Sequence, residues 1–347
     1  MALYILTNKN MSRNQNAWYG QAMFHAIHNA LGGTFGNVFV VMNSSDTDEG
    51  NYQHMQDLFP PDGDGRVRFY TSLSSAYDAT ESNNNDVIIL DGNSTHTLTA
   101  MLTVSKSRVH FIGLDYLLGI HRAYGQSSKV SLGVTTAATD IATVKNTGVR
   151  NSFRGIKFLN ANTVTEGIYC FVDGGEYTYI EDCEIYKSTD LDVTASAEFV
   201  CNADSPKYTN CTFGSLADAR SGAVIRATVL FTKGLAGSGL VTRDALFEKC
   251  NFWIQCTNTG NRFCYGANAT DIERVALFDN CNFICNGASS AIPAQNVAFG
   301  ATLTVGAVLL KNCTSVLAST AMSTTTWVYV DGPVPAAATT GISVQAS

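Results

Sequence analysis

Seven carboxylates crowd one stretch of this chain: Asp173, Glu176, Glu181, Asp182, Glu184, Asp190 and Asp192. Two carboxyl groups roughly 5 to 10 Å apart can hydrolyse a glycosidic bond, their separation deciding between retention and inversion. A cluster of carboxylate oxygens can equally hold Ca²⁺. Asp173, Glu176 and Glu181 are the first candidates for catalysis, although strand carboxylates are more commonly solvated charges on an outer face. Tyr177, Tyr179, Tyr186 and Tyr208 lie close by in sequence and could offer a sugar a stacking platform. Tyrosine is also an ordinary residue on β surfaces.

The rest of a catalytic apparatus is missing. No histidine follows His121, which removes the usual general acid–base residue from most of the chain. No Gly-x-Ser-x-Gly elbow, phosphate loop or dinucleotide fingerprint occurs. Asn202-Ala203-Asp204 reads as a turn. His25 and His28 share an expected helix, but no third metal ligand accompanies them. The sequence therefore assigns no catalytic residue, no cofactor and no metal, and it leans away from an enzyme. If the chain is one, it is a polysaccharide hydrolase or lyase.

The elements that would position these groups follow from a repeat. An apolar residue, two polar or small ones, a cysteine, a polar residue and an aromatic or aliphatic one recur in order. The copies are Ile180-Glu181-Asp182-Cys183-Glu184-Ile185, Tyr208-Thr209-Asn210-Cys211-Thr212-Phe213 and Phe247-Glu248-Lys249-Cys250-Asn251-Phe252, then Phe278-Asp279-Asn280-Cys281-Asn282-Phe283. Leu310-Lys311-Asn312-Cys313-Thr314-Ser315 is a weaker copy, and Phe153-Arg154-Gly155-Ile156-Lys157-Phe158 an earlier one with Ile at the cysteine position. Successive copies lie 27, 28, 39, 31 and 32 residues apart.

Period-2 alternation puts the apolar positions on one face of a strand. A strand returning about once per 30 residues marks a solenoid whose coils stack by parallel pairing. Phe158, Ile185, Phe213, Phe252 and Phe283 are expected to form one internal ladder. Cys183, Cys211, Cys250, Cys281 and Cys313, with Ile156, form a second one of small residues. The residues before each cysteine, Asp182, Asn210, Asn280 and Asn312, either form a hydrogen-bonded turn ladder or point outward. All ten cysteines fall between Cys170 and Cys313 without metal-ligand spacing, so stacked free thiols are expected. A disulfide among Cys256, Cys264 and Cys285 stays open.

Before the repeat, Leu3 to Thr7 and Val38 to Met42 read as strands and Ala17 to Leu31 as a helix, stopped by Gly32 and Gly33. Residues 1–66 are thus expected to be a small α/β head or cap, 67–335 a β-helix and 336–347 a tail. Gly222 to Phe231 is read as a strand emerging from the stack within the longest interval. The hydrophobic content of 45% with 15% charged residues suits a β-rich globular chain. The net charge of −7 comes without a Lys/Arg run, so no nucleic-acid partner is expected. No window of 18 apolar residues occurs, so no membrane span is expected, and the first residues lack a signal peptide.

The order at the start of the solenoid carries a resemblance. A short amphipathic helix with Leu73, Ala76, Tyr77 and Thr80 precedes Asp86-Val87-Ile88-Ile89-Leu90, and Val109-His110-Phe111-Ile112-Gly113 follows. This resembles the opening of right-handed parallel β-helix proteins of the pectate-lyase-like group, in which a helix closes the first coil. The resemblance implies an all-β right-handed parallel β-helix over about residues 67 to 335, and says little of activity. The calcium site and paired-aspartate signatures of that group's lyases and galacturonases are not matched here.

A Thr/Ala/Asn-rich β-helix behind a compact head is also similar to virion proteins of tailed bacteriophages. Leu6-Thr7-Asn8-Lys9-Asn10 and Gly133-Val134-Thr135-Thr136-Ala137-Ala138-Thr139-Asp140 carry that likeness. It implies a capsid decoration or cement protein on the virion exterior, a homotrimer whose partner is the major capsid protein lattice. The other expectation is a tailspike that binds or depolymerises a host surface glycan, with residues 1–66 as its adaptor.

Overall fold

The structure is a computed structural model. It describes most of residues 25–316, together with 328–330 and 342–344. Residues 1–24, 44–52, 120–127, 287–296, 317–327, 331–341 and 345–347, and some shorter loop stretches, lie outside the described residues. So do the strand expected at Leu3 to Thr7, most of the helix expected from Ala17, and Asp190 and Asp192.

Described strands form three parallel sheets of eleven, nine and seven members, here sheets A, B and C. Each coil gives one strand to each sheet in turn. Tyr179–Glu181 lies in A, Glu184–Lys187 in B and Ala197–Cys201 in C; Lys207–Thr209 then returns to A beside the first. The architecture is a right-handed parallel β-helix.

The repeated phrase is not one strand. Ile180 ends a strand of sheet A and Ile185 belongs to sheet B, with a corner between them. Strict alternation cannot place residues i, i+3 and i+5 on one face; one residue has to take up the turn. That residue is Asp182, Asn210, Lys249, Asn280 or Asn312, each left-handed at φ between 50° and 55°. Gly155 holds the same place in the Ile156 copy at φ 62°. Asn and Asp tolerate this region best after glycine, which explains their recurrence. Corner amides donate to the next coil: Asp182 to the Thr209 carbonyl (3.1 Å), Asn210 to Glu248 (2.9 Å) and Lys249 to Asp279 (2.9 Å). The Asn210 side chain also donates to the Asp182 carboxylate, a first rung of the turn ladder.

Lys249 is the exposed, ill-suited member of this series. Lys249→Asn is expected to stabilise the protein by about 0.5–1 kcal/mol, because a left-handed lysine costs about 1 kcal/mol that asparagine largely avoids. Chemical denaturation checks it; an unchanged or lower midpoint counts against the corner account.

Behind each corner the cysteine turns inward. Its thiol donates to the carbonyl of the penultimate strand residue in the preceding coil: Cys183 to Phe153 (3.5 Å), Cys211 to Ile180 (3.5 Å), Cys250 to Tyr208 (3.4 Å), Cys281 to Phe247 (3.3 Å) and Cys313 to Phe278 (3.4 Å). Cysteine suits the position as a small buried hydrophobe with a weak donor. Nine described cysteines are free thiols. Cys264 and Cys285 are among them; the side chain of Cys256 is outside the described residues.

In sheet B, Phe158, Ile185, Phe213, Phe252 and Phe283 stand in register, all buried. Phe213 and Phe252 stack at 5.3 Å and 14°, Phe252 and Phe283 at 4.9 Å and 17°. Sheet A supplies a matching column of Phe111, Phe153, Ile180, Tyr208, Phe247, Phe278 and Leu310. One core runs from Phe39 to Cys313.

The helix α1 (Leu73–Ala79) buries Leu73, Ala76 and Tyr77 in that core, and the Tyr77 ring stacks on Phe111 at 6.2 Å. Sheet A extends across the boundary expected at residue 66. Val38–Val41 pairs in parallel with both Phe69–Tyr70 and Asp86–Leu90. Ile27, on a helical stretch over residues 25–31, packs with Val38, Val40, Val87, Ile89 and Ile112 in a second cluster. The first strands are therefore covered on both faces, which is why they read as unbroken apolar runs.

The strand expected to emerge from the stack does not. Arg226–Phe231 is a regular member of sheet C, between Ala197–Cys201 and Asn261–Gly266. The extra residues of that coil go into an irregularity between Ser215 and Ala219 and into the 232–244 connection. In the tail, Ile342–Val344 pairs antiparallel with Thr314–Val316 on sheet B. Among the described residues, no helix is long and apolar enough to cross a membrane.

Candidate functional site

The three candidate carboxylates do not share a groove. Asp173 is fully buried inside the solenoid. Sheet C register stacks it with Asn146 and Cys201, in the same interior column as Val104 and Phe231. It accepts from Asn146 Nδ2 (2.8 Å), Gly175 N (3.1 Å), Thr178 Oγ1 (3.0 Å) and Tyr208 Oη (2.7 Å). Burial pushes its carboxyl up against the opposing pull of those four donors. Such a satisfied network holds coils in register and offers a substrate no approach.

Glu176 is exposed on a bridge to Asp204. Glu181 lies on the outer face of sheet A, accepting from Tyr116 Oη (2.8 Å) and paired with Arg154 (3.2 Å). Asp182 is the corner residue, and Glu184 pairs with Lys157 (3.0 Å) on sheet B. The sequence cluster is thus spread over the interior, two outer faces and a corner, because successive residues of a coil belong to different sheets.

The tyrosines divide in the same way. Tyr208 is buried in the core, whereas Tyr177 is 55% exposed. Cations cover the outer rings: Arg150 over Tyr177 (5.5 Å), Arg154 over Tyr179 (4.9 Å) and Lys157 over Tyr186 (4.7 Å). Asn202-Ala203-Asp204 forms a corner. Asn202 donates to the Thr232 and Leu240 carbonyls (2.6 and 2.8 Å), and Asp204 pairs with Arg243 (3.3 Å) and Arg274 (3.1 Å). His25 and His28 are exposed on their helix, and no metal-holding group of His, Cys, Asp and Glu occurs among the described residues.

Two arrangements were not singled out from sequence. One is His110, whose Nδ1 lies 2.8 Å from Ser152 Oγ on the neighbouring strand. Burial, aided by the Arg154 charge, holds its imidazole down at about 4. A neutral histidine beside a buried serine has the composition of a nucleophile–base pair. Here Ser152 is closed off and also accepts from Arg154 Nη1 (3.2 Å).

The other is a shallow cleft, open to solvent, between sheets B and C. Lys187, Arg220, Arg226 and Arg262 line it with a single carboxylate, Glu198, and Trp253. Glu198 accepts from the Arg220 guanidinium and the Lys187 amide. Lys187 Nζ donates to the Asn162 and Gly167 carbonyls (3.0 and 2.7 Å). Burial, with Arg220 and Arg226 adding to it against Glu198, brings the Lys187 amine down to about 8. Burial likewise pushes the Glu198 carboxyl up. These residues come from three coils with no common spacing; a lone charge within otherwise apolar strands such as Ala197–Cys201 and Arg226–Phe231 was the available signal.

Fold and site together define a right-handed parallel β-helix protein in which Asp173, Glu181 and Glu184 make scaffold contacts. Among solved structures the chain is similar to pectate lyase Pel9A, at 12% identity over 81% of this chain and 63% of that one, with a TM-score of 0.50. It is also similar to the pectin methylesterase from Aspergillus niger in deglycosylated form, at 14% identity over 86% of each chain and a TM-score of 0.48. The pectin methylesterase PemA from Erwinia chrysanthemi follows, at 12% identity over 81% of this chain and 79% of that one, with a TM-score of 0.43. At such identity the likeness to the lyase shows the fold alone. No family model matches the chain, and no curated protein does.

Proposed function

We propose that this β-helix is a structural virion protein, a decoration or cement protein bound as a homotrimer to the outside of a phage capsid. The observation that supports it best is the commitment of Asp173, Glu181 and Glu184 to scaffold contacts. A rigid stack in which Asp173, Glu176 and Glu181 do not converge suits a building block. An outward column on sheet A supports association: Leu246, Leu277 and Leu309 are half-buried in register, and Tyr329 is 50% exposed beside them. Half-covered aliphatic rows of this kind favour contact with another protein surface.

A second reading, a tailspike that binds a host surface glycan, is favoured by the exposed Tyr177 ring with Arg150 above it. Cryo-electron microscopy of virions labelled with antibody fragments against this chain separates the two. Label spread over the icosahedral shell is the expected result. Label confined to the tail tip replaces decoration by the tailspike reading, and absence from virions overturns both. Release of reducing ends from capsular polysaccharide is expected to be nil.

A further inference from the structure

We propose that the outer column of sheet A made by Leu246, Leu277, Leu309 and Tyr329 is the contact face between copies of this chain, which stand side by side with their coils parallel. Copy number alone rests on the homotrimer reading above; the face and its direction follow from the fold.

The chain covers its other outward apolar rows itself. At the start of sheet A, Val87, Ile89 and Ile112 pack with Ile27 and Phe59. On sheet C, Val172, Val200 and Leu230 pack with Ala236 and Leu240 of the 232–244 connection. Leu246, Leu277 and Leu309 are half-buried and belong neither to those clusters nor to the core. Tyr329 continues their row at 50% exposure. Val275, Ala307 and the 61% exposed Val305 widen the patch on one side. Contiguous apolar rungs of this extent mark a surface that another protein covers.

Spacing selects the occupant. Successive rungs lie about 4.8 Å apart, so four in a row fit best against a surface with the same repeat. The turns of an α-helix, about 5.4 Å apart, fall about 2 Å out of step across those four rungs. A second copy of this chain carries the matching repeat.

Charge selects the direction. Arg243 and Arg274 precede the strands that hold Leu246 and Leu277, and Glu248 and Asp279 end those strands. Each is already paired within its chain: Arg243 with Glu273 (2.7 Å), Arg274 with Asp244 (2.8 Å), Glu248 with Lys207 (2.8 Å) and Asp279 with Lys311 (3.3 Å). A rotation axis along the coils sets the beginning of one copy's strands beside the end of its neighbour's, at equal height. Arg243 then comes to Glu248 of the next copy, and Arg274 to Asp279. A twofold axis across the coils would set the arginine side against the arginine side. Such rim charges fix register more than affinity.

Analytical ultracentrifugation of the full chain reads the face. The unmodified protein is expected to sediment as a trimer and Leu277→Asp as a folded monomer, because the new carboxylates meet at the contact. Lys129→Glu, exposed on sheet B, should stay trimeric. A folded Leu277→Asp trimer overturns this face and leaves the homotrimer standing. A monomeric unmodified chain overturns both. A dimer broken by Leu277→Asp supports the face and replaces the copy number.

Photocrosslinking decides the matter if Leu277→Asp does not fold. With p-benzoylphenylalanine in place of Leu277, and isotopically labelled chains mixed with unlabelled ones, capture of Val275–Asp279 in the neighbouring chain is expected. Capture of a strand outside sheet A overturns the proposal, as does a trimer without any cross-link between chains.

Discussion

Raising the pH from about 9 to about 10 is expected to remove a large part of the folding stability of this protein. Burial pushes the thiols of Cys170, Cys183, Cys250 and Cys264 above their ordinary value of 9.0, and that of Cys201 to about 12. Below that ordinary value both folded and unfolded thiols keep their protons, and their contribution to stability is fully present. Above it the unfolded chain ionises while the folded chain does not, so stability falls as pH rises toward the folded values. Over that unit an unfolded thiol goes from half to about nine-tenths ionised, so each such thiol costs about 1 kcal/mol. Five together cost about 5 kcal/mol, against a typical total of about 5–15 kcal/mol.

Two groups work the other way. Lys187, lowered from 10.5 to about 8, is neutral when folded and charged when unfolded between those values. Its contribution therefore rises with pH there, by about 1.4 kcal/mol per unit. Against burial, hydrogen bonds with the Cys250 and Cys313 thiols hold the Cys281 thiol below its ordinary value, and its contribution rises only as pH approaches that ordinary value. Above it the raised thiols outweigh both. Urea unfolding under reducing conditions on either side of pH 9 checks the expectation. A midpoint that holds steady across that interval sinks it, as does thiolate absorbance appearing in the still-folded protein. Replacing Cys183 and Cys250 by alanine should make the loss shallower by about two protons' worth.

The second large effect is expected at the centre of the sheet B ladder. Phe252 is fully buried, stacked between Phe213 and Phe283, with Phe247 and Phe278 at 5.9 and 5.5 Å. Phe252→Ala removes the ring and leaves a hole that the rigid coils on both sides cannot close. The expected loss is about 3–5 kcal/mol. Phe252→Leu keeps most of the volume and should cost about 1.5 kcal/mol or less. Tyr177→Ala, at an exposed ring outside the core, should stay within about 0.5 kcal/mol. Denaturant midpoints on the three proteins test this. Equal losses for Phe252→Ala and Tyr177→Ala would refute a core role for the ladder.

Cys183, Cys250 and Phe252 are residues that the repeat made visible. Ile156 and then a cysteine returning after 27, 28, 39, 31 and 32 residues fix that these positions recur once per coil. Stacked coils give every recurring position the same surroundings, so a periodic apolar residue is a buried one. The corner was not legible in that pattern. A single left-handed residue such as Asp182 or Lys249 turns one apparent strand into two, and side-chain type alone does not announce φ.

The carboxylates show the other side of this. Asp173 and Glu181 are eight residues apart in sequence, yet one is sealed inside sheet C and the other lies on the outside of sheet A. In a coil that bends three times, closeness along the chain says nothing about which face a side chain takes. The cationic cleft has the opposite history. Lys187, Glu198, Arg220, Arg226 and Arg262 are scattered in sequence and meet only because parallel register stacks three coils.

The amino-acid order alone determined that this chain winds into stacked parallel coils with aromatic and thiol columns, because periodic burial is a local property repeated. Tertiary structure alone decided which charges converge. Convergence depends on where each coil turns and how many residues it spends there, and those lengths vary from one coil to the next.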